Sequence, residues 1–228
     1  MRMRKKAWAR PELEVCPYFV KEPQAQKGNW RHWFAKEQPL YLELGCGKGV
    51  FLAELAALNP QVNFIGIDLS LDVLGVARRN IQARYAQENR KVENIALVAF
   101  DIERILSMMD AQDKIERLYI NFCNPWPKMR HHKKRLTHTN QLNTYKVFLK
   151  DGAELFFKTD DSGLYQSTLR YLAESGFSVL HRTTDLYENG KVSQGNITTE
   201  HEQRFTAQGI SIKAITARYC ANSETIHI

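Results

Sequence analysis

Short apolar runs alternate with longer stretches of helical spacing along most of the chain. Leu40–Leu44 is an apolar run of strand length, and the following VFLAELAAL (Val50–Leu58) repeats its apolar residues at helical intervals. The same alternation predicts a strand over Val62–Ile67, a helix over Leu71–Gln87, a strand over Ile95–Ala99, a helix over Ile102–Met109 and a strand over Arg117–Phe122. Beyond a basic stretch, a helix near Asn140–Leu149 leads to a strand over Ala153–Lys158. A helix over Ser162–Ser175 leads to a strand over Phe177–Arg182, and a short helix near Glu200–Ala207 precedes a last strand over Ile210–Tyr219. Residues 1–39 lack periodicity and contain Pro11, Pro17, Pro23 and Pro39, so an irregular arm is expected there, with one helix near Trp30–Phe34. The alternation implies right-handed crossovers and a mostly parallel, Rossmann-like α/β sheet with helices on both faces. Ligands of such sheets bind beyond the carboxyl ends of the strands, which directs attention to the loops after Leu44, Ile67, Ala99, Phe122 and Lys158.

At 228 residues, 43% hydrophobic and 11% aromatic, the chain has the size and apolar content of one folded domain over residues 1–228, with a basic arm (1–39) and a Rossmann-like core (40–228). The basic N-terminus carries no apolar segment before Glu12 and Glu14, so no secretory signal is expected, and no apolar run approaches membrane-spanning length. Cys16, Cys46, Cys123 and Cys220 lie far apart, as suits reduced thiols in the cytoplasm. His131, His132 and His138 lack partners at ligand spacing, and no metal is expected.

Lys and Arg number 32 against 25 Asp and Glu, a formal net charge of +7. Ten of those cations occupy two stretches: Arg2, Arg4, Lys5, Lys6 and Arg10, then Lys128, Arg130, Lys133, Lys134 and Arg135. Clustering of this kind fits a polyanion partner, and Trp8 and Trp126 among the cations offer flat faces for unpaired bases. A solvated basic surface is the alternative for either cluster taken singly.

ELGCGKG places Gly45, Gly47 and Gly49 after the first core strand, where glycine permits a tight turn and a close backbone approach. The spacing is GxGxG, with Val50 where a dinucleotide fingerprint would have its third glycine. Glu43 before the loop is poorly placed for a pyrophosphate and well placed for the cationic groups of S-adenosylmethionine. Asp68, ending the second strand, fits an acceptor for ribose hydroxyls, and Asp101, after the third, fits a contact to the adenine amino group. In order and each at a strand's end, these point to a class I methyltransferase, although glycines and acids there also serve as turns and caps.

The loop after the fourth strand reads NFCNPWPKMRHHKKRL. With Pro125, Trp126, Pro127, Lys128, Arg130 and His131, and with ELGCGKG, FKTD (Phe157–Asp160) and TEHE (Thr199–Glu202), the chain resembles the bacterial tRNA (guanine-N7-)-methyltransferase family over nearly its whole length. The resemblance implies a class I methyltransferase fold of seven strands with the last antiparallel. It also implies methyl transfer from S-adenosylmethionine to N7 of guanosine 46 in the tRNA variable loop. It assigns Glu43, Asp68 and Asp101 to the cofactor, and Lys128, Asp160, Thr199, Glu200, His201 and Glu202 to the tRNA. The clustered cations Arg130, Lys133, Lys134 and Arg135 are expected on the RNA backbone.

One position departs from the family. Where Asp is usual, near the cofactor and proposed for catalysis, this chain has Asn124. Guanine N7 carries a lone pair and no proton, so transfer needs alignment rather than a general base. An amide can position the base but cannot offset the positive charge that develops on the purine. An RNA-binding protein of the same fold, with catalysis weakened or lost through Asn124, is therefore a rival reading. A methyltransferase for a small molecule or protein would account for the glycine loop but not for the clustered cations. A homodimer is admitted by the sequence without being specified by it.

Overall fold

The computed structural model describes residues 5–188 and 196–221. The chain divides into two compact units, Met1–Asp113 and Lys114–Ile228. The first holds α1 (Ala9–Glu14), β1 (Phe19–Val20), α2 (Trp30–Trp33), β2 (Leu40–Leu44), α3 (Val50–Leu58), β3 (Asn63–Asp68), α4 (Leu71–Ala86) and β4 (Ile95–Ala99). Its strands are all parallel, in the order β1-β4-β3-β2. Leu44 pairs with Ile67 and Asp68 with Ala99, so the carboxyl ends of β2, β3 and β4 lie level.

The apolar runs of β2, β3 and β4 are buried nearly end to end, as expected of parallel strands covered on both faces. In α3, Phe51, Leu52, Ala53, Leu55, Ala56 and Ala57 are buried, leaving little polar face. Helix α4 is capped by Ser70 Oγ, which accepts from Val73 N at 3.4 Å, and buries Leu74, Ala77, Ile81 and Tyr85.

The amino-terminal segment is more ordered than its sequence predicts. The helix near Trp30 is present as α2, but α1 and β1 are additional. Helix α1 buries Ala9 and Leu13 and lies so close to α4 that a Cβ on Gly75 would fall 2.5 Å from that of Ala9. Glu12 binds Arg78 and Arg79 at 2.8 and 2.5 Å, and Arg79 covers the Trp8 ring at 3.5 Å. Strand β1 adds Phe19–Val20 to the edge of β4. Two apolar residues in α1 and two residues in β1 are too few to show a period, and long-range packing supplies the rest. Of the expected arm cations, Arg2 and Arg4 lie outside the described residues.

The second unit holds β5 (Ile115–Asn121), α5 (Thr139–Tyr145), β6 (Leu149–Thr159), α6 (Ser162–Glu174), β7 (Phe177–Thr183), α7 (Glu200–Thr206) and β8 (Lys213–Tyr219). Its strands run β5-β6-β8-β7; β5 and β6 are parallel, while β8 is antiparallel to both β6 and β7. The antiparallel last strand agrees with expectation; the described residues form eight strands rather than seven, the extra one being β1. No helix among the described residues is long and apolar enough to cross a membrane.

Candidate active site

The carboxyl edge of the first unit is built around the turn from β2 to α3. Gly45, Gly47 and Gly49 have φ of 76°, 55° and 68°, left-handed values that a side chain resists. They do different work. A Cβ on Gly49 would meet Ala77 Cβ at 2.8 Å, so this glycine lets α3 start against α4, whereas a Cβ on Gly47 would find only the Gly45 carbonyl, at 3.9 Å. The loop amides are turned inward: Gly45 N and Cys46 N both donate to Ile67 O at 2.9 Å, Gly49 N to Cys46 O at 2.9 Å, and Gly47 N to Asp68 Oδ2 at 3.1 Å. Asp68 Oδ1 accepts from Ser70 N at 3.0 Å, so this carboxylate ties the glycine loop to the start of α4. Phe100 N donates to Asp68 O at 3.0 Å, and Asp101, just beyond, caps the 3-10 turn Ile102–Ser107 by accepting from Glu103 N.

Glu43, only 3% exposed, completes this edge on β2. Amides that donate within the protein are not available to a pyrophosphate, and the acids present are three carboxylates of the same sign as phosphate. The edge therefore suits a cationic or hydroxyl-bearing ligand better than a dinucleotide. Cys46 lies buried beneath it, and burial, reinforced by the Glu43 and Asp68 charges, holds its thiol well above the usual range. It stays protonated and behaves as a small apolar side chain.

In the second unit the loop after β5 turns without glycine. Phe122 and Trp126 have φ of 51° and 43°, values rare for bulky residues. Phe122 N donates to Lys158 O at 2.9 Å and keeps the loop on β6. Asn124, exposed, accepts the Trp126 N–H on Oδ1 at 3.0 Å. The Trp126 ring stacks on His131 at 5.5 Å, and Lys134 Nζ lies 5.3 Å from its centroid.

Arg135 braces the same turn from within. Its Nε donates to Pro125 O at 2.8 Å, and its terminal nitrogens reach Trp126 O at 3.5 Å and Tyr171 Oη at 3.4 Å. At 4% exposure it is not a phosphate contact, which corrects the expectation that grouped it with Arg130, Lys133 and Lys134. Those three are exposed, as is Lys128. Cys123, in this loop, is half-buried, and desolvation pushes its thiol up to about 12, so it too stays protonated.

The TEHE segment divides by burial. Thr199 and Glu202 form a capping box on α7: Thr199 Oγ1 accepts from Glu202 N at 3.0 Å, and Glu202 Oε2 accepts from Thr199 N at 3.2 Å. Glu202 is fully buried and also accepts from Lys158 Nζ (3.0 Å), Asn196 Nδ2 (2.7 Å) and Tyr187 Oη (2.5 Å). Expected on the tRNA by resemblance, these two side chains are engaged within the protein, where they hold α7. Glu200 and His201 are exposed, with the His201 ring stacked on Phe122 at 5.7 Å. Asp160 is half-buried, and its carboxylate accepts no hydrogen bond from the described residues, while Lys213 Nζ holds its backbone carbonyl at 3.0 Å.

Against known proteins, the family model described as "Putative methyltransferase" matches residues 37–215. The tRNA (guanine-N(7)-)-methyltransferase of Clostridium beijerinckii is 51% identical over 217 residues, covering 95% of this chain and 98% of that protein. Its namesakes in Clostridium perfringens and Acetivibrio thermocellus are 50% and 47% identical over 96% and 95% of this chain. The chain belongs to the tRNA (guanine-N(7)-)-methyltransferase family. Among solved structures, a 16S rRNA (adenine(1408)-N(1))-methyltransferase variant from Catenulisporales acidiphilia, determined with its cosubstrate SAM, aligns with a TM-score of 0.57 at 15% identity. The alignment covers 90% of this chain and 92% of that one. A second 16S rRNA methyltransferase aligns with the same TM-score at 12% identity over 96% of both chains. At such identities these likenesses establish the class I methyltransferase fold and nothing finer.

In this family member the bracing role of Arg135, and the convergence of Lys158, Asn196 and Tyr187 on the buried Glu202, are not evident from the sequence. The Thr199-x-x-Glu202 spacing did carry the capping box. Nothing in the sequence distinguishes Arg135 from its cationic neighbours. Among the described residues no group of three or more His, Cys, Asp and Glu side chains could hold a metal.

Proposed function

We propose that this chain transfers a methyl group from S-adenosylmethionine to N7 of guanosine 46 in the variable loop of tRNA, acting as one catalytic domain in the cytoplasm. The observation that carries the reading is the 51% identity to a tRNA (guanine-N(7)-)-methyltransferase across 95% of the chain. The carboxyl edge of the first unit supports the donor. Gly47 leaves open space where any other residue would place a Cβ, and the Asp68 oxygens keep lone pairs after accepting one amide each. Glu43, Gly45, Gly47, Gly49, Asp68 and Asp101 would hold the cofactor. S-adenosylmethionine, when bound, supplies an electrophilic methyl group on a sulfonium.

The chain's own task is alignment. N7 needs no base to deprotonate it, and holding the purine in line with its reaction partner lowers the barrier by several kcal/mol, on the order known for well-oriented reactants. Lys128, Asp160, Glu200 and His201 are the candidate substrate contacts, and Arg130, Lys133 and Lys134 are candidates for the phosphates. Thr199 and Glu202 act through α7 instead. The test is to incubate the protein with tRNA and labelled S-adenosylmethionine and map 7-methylguanosine by chemical cleavage. Label at position 46, lost in transcripts carrying adenosine there, is expected. Tight tRNA binding without 7-methylguanosine would favour the RNA-binding rival, and label on proteins or small molecules would overturn both.

A further inference from the structure

The two ends of the Asn124 side chain are not equivalent. Oδ1 accepts the Trp126 N–H at 3.0 Å, and that bond settles which end is which, because only the carbonyl end of an amide accepts. The turn that makes the bond is itself held: Trp126 sits at φ 43°, Arg135 grips the Pro125 carbonyl at 2.8 Å, and the indole lies against His131 and Lys134. Nδ2 is left with two donor hydrogens that meet no acceptor among the described residues, on an exposed side chain.

Guanine shows two acceptors on the edge that contains N7: N7 itself and O6. Adenine shows an amino donor in place of O6. N7 has to stay bare to receive a methyl group, so O6 is the atom beside it that a protein can hold. We propose that Asn124 reads O6, its Nδ2 donating to the target guanine and selecting it over adenine. The inference rests on the reading of the chain as a guanine-N7 methyltransferase. Asn124 is then a specificity-determining residue with a defined polarity: a carboxylate at this position would keep the bond to the Trp126 N–H but would present an acceptor to an acceptor.

The experiment uses the full chain, Asn124→Ala and Asn124→Asp with ligated tRNA carrying guanosine, inosine or 2-aminopurine riboside at the target position, read as single-turnover transfer to N7. Inosine keeps O6 and lacks the 2-amino group; 2-aminopurine keeps N7 and the amino group and lacks O6. Wild type should treat guanosine and inosine alike within about threefold. It should disfavour 2-aminopurine roughly tenfold or more beyond the discrimination shown by Asn124→Ala, a comparison that divides out the intrinsic reactivity of N7. Asn124→Asp, which preserves the turn, should lose the discrimination as well. Undiminished discrimination in both variants would overturn the proposal. A wild type that forms no 7-methylguanosine even on guanosine would sink the functional reading, and the proposal with it.

Discussion

The two loops at the carboxyl ends of β2 and β5 solve the same turning problem with opposite means. The first uses glycine at each left-handed position and satisfies its amides on its own Cys46 carbonyl, on the Ile67 carbonyl of β3 and on Asp68. The second places Phe122 and Trp126 in left-handed conformations; the side chains of Asn124, His131, Lys134 and Arg135 hold the turn at Trp126, while the Lys158 carbonyl and the His201 ring hold Phe122. Left-handed backbone at a bulky residue costs about 1–3 kcal/mol and persists only where the surroundings enforce it. The first loop's shape is thus intrinsic to its residues, while the second's is imposed, so the first is vulnerable to added atoms and the second to removed ones.

The largest effect expected is in the glycine loop. Gly49→Ala should destabilise the protein by about 1–3 kcal/mol through crowding against Ala77, on top of about 1–2 kcal/mol for the left-handed backbone. Gly47→Ala, with open space around it, should show only the second cost, and urea denaturation of the two variants side by side measures the difference. Equal losses would mean that crowding at Ala77 is relieved by a small shift of α4.

Arg135→Met is the corresponding cut in the imposed loop. It leaves the Pro125 and Trp126 carbonyls without their donor, a loss of about 2 kcal/mol, and frees the turn to relax. Methyl transfer should fall by roughly ten- to a hundredfold through misplacement while cofactor affinity by calorimetry stays constant. Arg135→Lys should recover only part of the rate, since an ammonium lacks the planar fork that spans two carbonyls. Unchanged transfer in the Met variant would show that the turn holds its shape without the brace.

The smallest effect is a pH dependence confined to the second unit. His138 caps α5 by accepting Asn140 N on Nδ1 at 3.2 Å, and its ring packs on Tyr171, whose hydroxyl bonds Arg135. Burial lowers the His138 pKa below its usual 6.5. Above that value both folded and unfolded chains carry a neutral imidazole. As pH falls below 6.5 the unfolded chain takes the proton first, so the stability contributed is present above 6.5 and is lost on acidification. His138→Asn, which keeps a capping acceptor, should flatten the stability profile below pH 6.5. An unaltered profile would place the acid sensitivity elsewhere.

Much of this architecture was legible in the chain. The runs of β2, β3 and β4 are apolar on both faces, and α4 and α6 repeat at helical spacing over 16 and 13 residues, so pattern was enough. Helix α1 and strand β1 were not legible, because they exist through Glu12, Ala9 and the edge of β4 rather than through a period of their own. At the site, residue type revealed charge but not burial. Arg135 reads the same as Lys133 and Lys134, yet one is inside and the others outside, and that difference comes from tertiary packing. Glu202 likewise announced its capping box through spacing with Thr199, but not the lysine, tyrosine and asparagine that converge on it.

The Asn124–Pro125 bond has a consequence for the chemical ageing of the protein. Asparagine ordinarily converts to aspartate when the next residue's backbone nitrogen attacks the side-chain carbonyl and expels ammonia through a cyclic imide. Proline has no N–H to lose in that ring closure, so the path is shut at this position. The amide at residue 124 is consequently spared the commonest route by which asparagine ages to aspartate.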